Sequence, residues 1–214
     1  MEDLQDNKTR IALKALELFM MYGIRRVSMD EIAVGLGMSK KTIYNYFKDK
    51  DELVNQVVHS VLGKNHNANK AGKKLAKNAV HEVFMVIGQT TELFSRMNPL
   101  LMYDLKKYHP AAYKAFLDYK TKVLYVILKN NIEWGITDGL FRDDMNLEII
   151  VRYRLETVMV PFAPEIYRFA NVSIDKTYEE LFYLFLYGIS TPKGYQLINK
   201  YRREILKNSG NEKK

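Results

Sequence analysis

Apolar residues recur at helical intervals through nearly the whole chain, and no stretch of useful length alternates with the period of a strand. Ile11, Ala15, Leu18 and Phe19 give an inward face to a first helix over residues 8–22, closed by Gly23. Ser28 and Glu31 then stand at the spacing of a reciprocal capping box, in which each side chain accepts from the other residue's backbone N–H. The short helix they open carries Ile32, Ala33 and Leu36 inward. Gly37 falls at the turn, where a residue free to take positive φ is required. Ser39 caps a third helix whose Ile43 and Phe47, four apart, point inward. Asp49 and Glu52 form a further cap-like pair for a helix entering at Lys50, with Leu53, Val54, Val57, Val58, Val61 and Leu62 as its stripe.

Periodicity weakens over residues 63–74, GKNHNANKAGKK, which reads as a linker or a frayed helix end. It returns with Val80, Val83, Phe84, Ile87, Leu93, Phe94 and Met97, until Pro99 interrupts it. A short helix over 100–107 stops before Pro110, because a residue preceding proline avoids the helical region. Pro110 suits the first turn of a long helix carrying Tyr113, Phe116, Leu117, Val123, Leu124, Ile127, Leu128 and Trp134, to about Gly135. Asp138-Gly139 marks a corner, Glu148 to about Val160 resumes helix, and Pro161 and Pro164 disturb its end. Residues 181–189, LFYLFLYGI, are apolar or aromatic apart from Gly188 and leave no face for water. One side of that helix is expected to meet the core and the other a second copy of the chain. Thr191-Pro192 opens a last helix with Leu197, Ile198, Tyr201, Ile205 and Leu206 inward, and the SGNEKK end reads as a disordered tail. The expected fold is all-α: a three-helix head at 1–52 with its connecting helix at 50–63, and a larger helical body at 64–214.

The third helix is the element with distinctive chemistry. Its outer face offers Lys40, Lys41, Thr42, Tyr44, Asn45 and Tyr46. Lysine neutralises phosphate, hydroxyls donate to phosphate oxygens, and Asn or Lys reaches base edges, so the face suits duplex DNA. A solvated surface on a small bundle is the bland alternative. Against it, two caps, a turn glycine, an inward pair and a polar face all keep one register.

In these residues the chain resembles the tetracycline-repressor (TetR) family of bacterial transcription regulators. The likeness runs from the Ile11, Ala15, Leu18, Phe19 and Gly23 spacing through Ser28, Ile32-Ala33 and Gly37-x-Ser39 to Ile43-Tyr44-x-Tyr46-Phe47, Lys50 and Leu53. It covers roughly the first quarter of the chain. Gly35 departs from the family pattern, and a mid-helix glycine costs about 0.5–1 kcal/mol relative to alanine. The resemblance implies that Ser28, Thr42, Tyr44, Tyr46 and Lys50 position phosphates, and Lys40, Lys41 and Asn45 are the expected base readers. It further implies a body that binds a small organic effector and pairs with a second copy through its last two long helices, here roughly 147–160 and 178–206. Phe182, Phe185, Leu186 and Ile189 are the expected dimer contacts.

Composition narrows the picture. Among 214 residues there is no cysteine, which removes disulfides and thiol chemistry and agrees with a reducing cytoplasm. The net charge of +8 permits a nucleic-acid partner. Lys64, Lys70, Lys73, Lys74 and Lys77 precede any acid until Glu82, a run that reads as an ordinary solvated loop or, as the alternative, as a segment lying near the DNA backbone. No apolar run reaches membrane-span length, and the polar, acidic N-terminus is no secretory signal. Motifs for nucleophilic, phosphate-cradling or zinc-dependent chemistry are absent, and His59, His66, His81 and His109 are scattered, so neither an enzyme nor a metal or cofactor site is expected. The effector, an unidentified small organic molecule, would meet an apolar pocket with a few polar groups. Phe84, Met97, Met102, Tyr103, Tyr119, Trp134, Tyr153 and Met159 are candidates for its lining. The expectation is a cytoplasmic, homodimeric, ligand-responsive regulator on double-stranded operator DNA. A helical small-molecule-binding protein without DNA function competes, and Tyr44, Tyr46 and Lys50 argue against it.

Overall fold

The computed structural model describes residues 2–163, 166 and 172–211. Eleven α-helices are seen among them: α1 (Glu2–Tyr22), α2 (Met29–Leu36), α3 (Lys40–Tyr44), α4 (Lys50–Leu75), α5 (Ala79–Ser95), α6 (Leu101–Tyr108), α7 (Pro110–Asp118), α8 (Tyr125–Thr137), α9 (Leu147–Thr157), α10 (Ile174–Ile189) and α11 (Pro192–Asn211). A π-helical stretch, Tyr119–Leu124, joins α7 to α8, so the expected long helix from Pro110 exists with one widened segment. The fold is all-α; no strand forms among the described residues, where Phe141 and Ser190 make an isolated bridge.

The chain divides into two compact units, residues Met1–His66 with Arg96–Tyr119, and Asn67–Ser95 with Lys120–Lys214. This departs from the expected division into a head at 1–52 and a body at 64–214. The helices α6 and α7, expected in the body, pack with the first unit. The reason is a set of polar ties. Asn98 donates its backbone N–H to the Met20 carbonyl at 2.7 Å, and Asp104 accepts the Arg25 N–H at 2.9 Å. The His109 ring nitrogen Nδ1 lies 2.5 Å from an Asp51 carboxylate oxygen.

The first unit closes on Ile11, Ala15, Phe19, Ile24, Val27, Ile32, Ile43, Phe47, Leu53, Val54 and Val57, all buried. Gly37 takes φ +65°, and the Met38 and Gly37 N–H groups close the end of α2 onto the Ala33 and Val34 carbonyls. At Gly35 a Cβ would stand 2.8 Å from Lys14 Cε, the far end of a flexible side chain that can move aside, so packing does not require the glycine.

In the second unit α5 packs against α10, α8 and α11, and α8 against α9. The segment expected to be a linker is helix to Leu75. Its weak propensity is overridden at its end by tertiary contacts. Lys73 Nζ lies 3.2 Å from the buried Glu82 carboxylate and 3.7 Å from the centre of the Trp134 ring. Asn131 donates to the same Glu82 at 2.7 Å. Lys73 is therefore paired within the second unit, and like Lys70 and Lys74 it stays exposed.

The α10 helix also corrects an expectation. Phe182, Leu186 and Ile189 are buried within the chain itself, so of the four expected dimer contacts only Phe185 is part-exposed. The helix does have an outer face, on which Lys176, Glu180, Leu184 and Gly188 recur every four residues. On α11, Ile198 is buried but Ile205 is 40% exposed, against its expected inward position. Residues 209–211 of the expected tail continue α11; Pro164 and the remaining tail residues, 212–214, lie outside the described residues.

The corner at 138–142 is stitched to the start of α11. Thr191 donates its N–H to the Leu140 carbonyl at 3.0 Å, and Arg142 its own to Ile189 at 2.8 Å. A Cβ on Gly194 would meet the Leu140 carbonyl oxygen at 2.1 Å, a contact with backbone that cannot swing aside. Gly194→Ala is expected to destabilise the chain by about 1–3 kcal/mol. Gly63→Ala, with nothing within 4 Å of the new methyl, is expected to stabilise it by about 0.5–1 kcal/mol. Denaturant unfolding of the two variants beside the parent checks both signs.

Candidate nucleic-acid interface

Eight residues of α2 and five of α3 are too few to hold helical form alone, since isolated helices shorter than ~12–15 residues are marginal in water. Caps and burial supply the rest. The Ser28 hydroxyl accepts the Glu31 N–H at 3.1 Å, and the Glu31 carboxylate accepts the Ser28 N–H at 2.6 Å. Ser39 accepts the Thr42 N–H at 3.0 Å, and Asp49 the Glu52 N–H at 2.8 Å, while Glu52 reaches back to the Lys48 N–H at 2.9 Å. All three expected caps are present. Phe47 lies past the end of α3 but is 1% exposed, its N–H bonded to the Ile43 carbonyl.

With Ile43 and Phe47 turned inward, the expected reading residues are left outside. Lys40, Lys41, Tyr44 and Asn45 are exposed, and Thr42 and Tyr46 part-exposed. Two of them have partners that the sequence did not reveal. Lys40 pairs with Asp30 of α2 at 2.8 Å, a bond that raises the lysine's pKa. The Tyr46 hydroxyl accepts from the Asn7 amide at 3.3 Å. Ser28 is exposed at the mouth of a shallow cleft of about 350 Å³ lined by Arg25, Arg26, Asp30, Lys40, Tyr44 and Lys50. The cleft offers four cationic side chains, a hydroxyl and a phenol to an anion the size of a phosphate.

Lys50 is half-buried, its ammonium 3.5 Å from the Arg25 carbonyl. Burial pulls its pKa below the ordinary lysine value, and the charges of Asp104, Glu31 and Asp51 oppose that pull. The Glu31 carboxyl is held below its ordinary 4.5, first by the Ser28 N–H, then by the Ser28 hydroxyl, with Lys50 adding attraction. Behind the cleft stands the buried Asp104, tied to the Arg25 N–H, while the Arg25 guanidinium lies 5.3 Å from the Tyr108 ring. Sequence reasoning missed Asn98, Asp104 and His109. Their partners lie 58–79 residues away, and nothing in their own neighbourhood marks them.

The pattern that describes bacterial regulatory proteins of the tetR family matches residues 11–57, the stretch that carries this cleft and its caps. Over that stretch the chain is similar to the tetR-family regulatory proteins. An HTH-type transcriptional regulator of Bacillus subtilis, YvaF, is 25% identical over 147 residues, 64% of this chain and 72% of that one. An HTH-type transcriptional regulator of Staphylococcus aureus is 39% identical over 61 residues, which cover 28% of this chain and only 33% of that protein. Among solved structures, a transcriptional regulator from Saccharomonospora viridis in complex with choline superposes with a TM-score of 0.70, at 17% identity over 87% of this chain and 99% of the other. That likeness shows a shared helical fold beyond the head. Residues 11–57 thus carry a helix-turn-helix head of the kind that pattern describes. No described helix is long and apolar enough to cross a membrane.

The expected effector-pocket residues are spread over both units. Met97, Met102, Tyr103 and Tyr119 belong to the first, and Phe84, Trp134, Tyr153 and Met159 to the second. Tyr103 and Tyr153 are about half exposed, so neither lines an enclosed site in its own unit. Phe84 is packed among the Phe182, Tyr183 and Tyr201 rings as core.

Two outcomes follow from the head's geometry. Asp104→Ala leaves the Arg25 N–H without its buried acceptor, a loss of about 1–3 kcal/mol. It is expected to weaken binding to operator duplex despite its distance in sequence from α3, as read by fluorescence anisotropy. Because the Glu31 pKa is depressed in the fold, its contribution is complete above the ordinary value of 4.5 and fades as pH falls through the folded value. Glu31→Gln is therefore expected to lower stability at neutral pH and to flatten the acid limb of a stability–pH profile.

Proposed function

We propose that the chain is a homodimeric repressor whose two heads read successive major grooves of a pseudo-palindromic operator, and that a small organic effector releases it. The single observation behind the reading is the rigidly capped α2–turn–α3 unit. It presents Lys40, Lys41, Thr42, Tyr44 and Asn45 on one outer face beside the cleft at Ser28 and Lys50. Ser28, Thr42, Tyr44, Tyr46 and Lys50 position phosphates; Lys40, Lys41 and Asn45 reach base edges. Half-sites must then stand one helical turn apart, about 34–36 Å, or a multiple of it.

Dimerisation is assigned to the outer sides of α9 and α10, with a corrected residue set. Ile149 is 63% exposed, Tyr153 53% and Leu184 67%, and the Tyr153 ring stacks on part-exposed Phe185. These large apolar groups favour a second copy of the same surface, as an isologous contact requires. Effector response rests on the family and on relatives such as the choline-bound regulator. A ligand that prefers the released state by about 1.4 kcal/mol lowers operator affinity tenfold, and operator must weaken the ligand equally.

Electrophoretic retardation of the DNA flanking the chain's own gene, with and without a metabolite extract, tests the whole reading. A shift that the extract reverses is expected; a chain that retards no duplex at low salt overturns it. Lys40→Ala is expected to reduce preference for operator over random duplex, whereas Lys41→Ala with Asn45→Ala should abolish what remains. Loss of equal size on both duplexes would refute base reading. Leu184→Glu is expected to convert the dimer to monomer in light scattering and to lower operator affinity at least tenfold, the loss of about 1.4 kcal/mol.

A further inference from the structure

Arg154, on α9, is 6% exposed, and among the described residues no carboxylate lies within ion-pair reach of it. Its guanidinium lies 5.3 Å from the Tyr178 ring centre and 5.4 Å from those of Phe182 and Phe185. Among the described residues two hydrogen bonds use it, both to neutral hydroxyls: Thr157 at 3.3 Å and Tyr178 at 3.2 Å. A guanidinium has five N–H donors in a planar fork and keeps its charge at any physiological pH. A permanent charge held away from water is costly unless an anion meets it. The carboxylates nearest in sequence are occupied elsewhere: Glu156 holds the buried Lys120 ammonium through both oxygens, at 2.8 and 2.9 Å, and Glu148 binds Arg152 at 2.5 Å.

We infer that Arg154 is the anchor for the carboxylate of a small organic acid, the effector of the regulator proposed above. The inference deepens that reading and rests on it. The walls around the guanidinium set the class of ligand. Tyr178 and Phe182 continue into Phe94 and Phe162, whose rings lie 5.0 Å apart, so the surroundings beyond the fork are aromatic. One unneutralised cation suits a monoanion; a multiply charged phosphate ester would call for more, and Lys120 is already matched. A planar fork in an aromatic setting fits a carboxylate carried on an aryl or alkyl body. Tyr178 and Thr157 then serve as positioning residues that fix the guanidinium plane.

The test is calorimetric titration of the full chain with phenylacetate and decanoate, each beside its neutral primary amide. At least one acid is expected to bind about tenfold more tightly than its amide, the gain of a bidentate charge-assisted pair. Arg154→Gln is expected to erase that preference while retaining the amide's affinity. If the wild-type chain distinguishes neither acid from its amide, or the Gln variant keeps the preference, the assignment is overturned. The wild-type comparison decides even if the variant does not fold. Retardation of operator DNA, measured in parallel, separates the two readings. A chain that shifts its operator yet ignores both acids sinks only the Arg154 assignment; one that prefers an acid but retards no duplex sinks only the DNA reading.

Discussion

The structure depends on how two helices too short to be stable are held in a fixed pose. The α2 and α3 helices have thirteen residues between them, and most of what orders them comes from outside their own hydrogen-bond ladders. Serine and carboxylate caps satisfy their first N–H groups, Gly37 turns the chain at positive φ, and Ile32, Ile43 and Phe47 bury completely. For the proposed DNA reading rigidity matters, because side chains that read base edges must arrive within a fraction of an ångström of their partners. A reading face carried on a frayed turn would spend its binding energy on ordering itself.

The same demand explains the polar cluster behind the face. Asn98 and Asp104 take up backbone groups of residues 20–25, and His109 meets the first turn of α4 at Asp51. These ties place α6 and α7 in the compact unit that contains the reading helices. A change in α6 or α7 is thereby felt by the loop preceding α2 without passing along α4 alone. Lys50 sits part-buried, where desolvation lowers its pKa and the fields of Asp104, Glu31 and Asp51 offset only part of that pull.

The second unit is built on other terms. Its core is a mesh of aromatic rings from α5, α10 and α11, with two polar knots, Glu82–Asn131 reached from the surface by Lys73, and the buried Arg154–Thr157–Tyr178. The first is closed, a carboxylate meeting an ammonium and an amide. The second has no anionic member among the described residues. The 138–142 corner, locked against the start of α11 by backbone bonds and the close approach at Gly194, holds α10 and α11 in register.

The sequence by itself determined the all-α class, the three caps, the turn at Gly37, the inward pair Ile43 and Phe47, and hence which side chains of α3 face out. All of these are local: a cap spans three residues and a helical face repeats every three or four, so their signals lie within a few positions of each other. Tertiary structure decided what depended on residues far apart in the chain. It continued α4 through a segment of weak propensity because Glu82 and Trp134 receive Lys73. It turned Phe182, Leu186 and Ile189 into core and left Leu184 outside, a choice an all-apolar run cannot reveal because no face of it is marked. It drew α6 and α7 to the first unit through Asn98, Asp104 and His109, and left Arg154 buried with no carboxylate partner among the described residues. Hydrogen bonds and charges act over ångströms in space, and the distance along the chain between partners carries no trace of them.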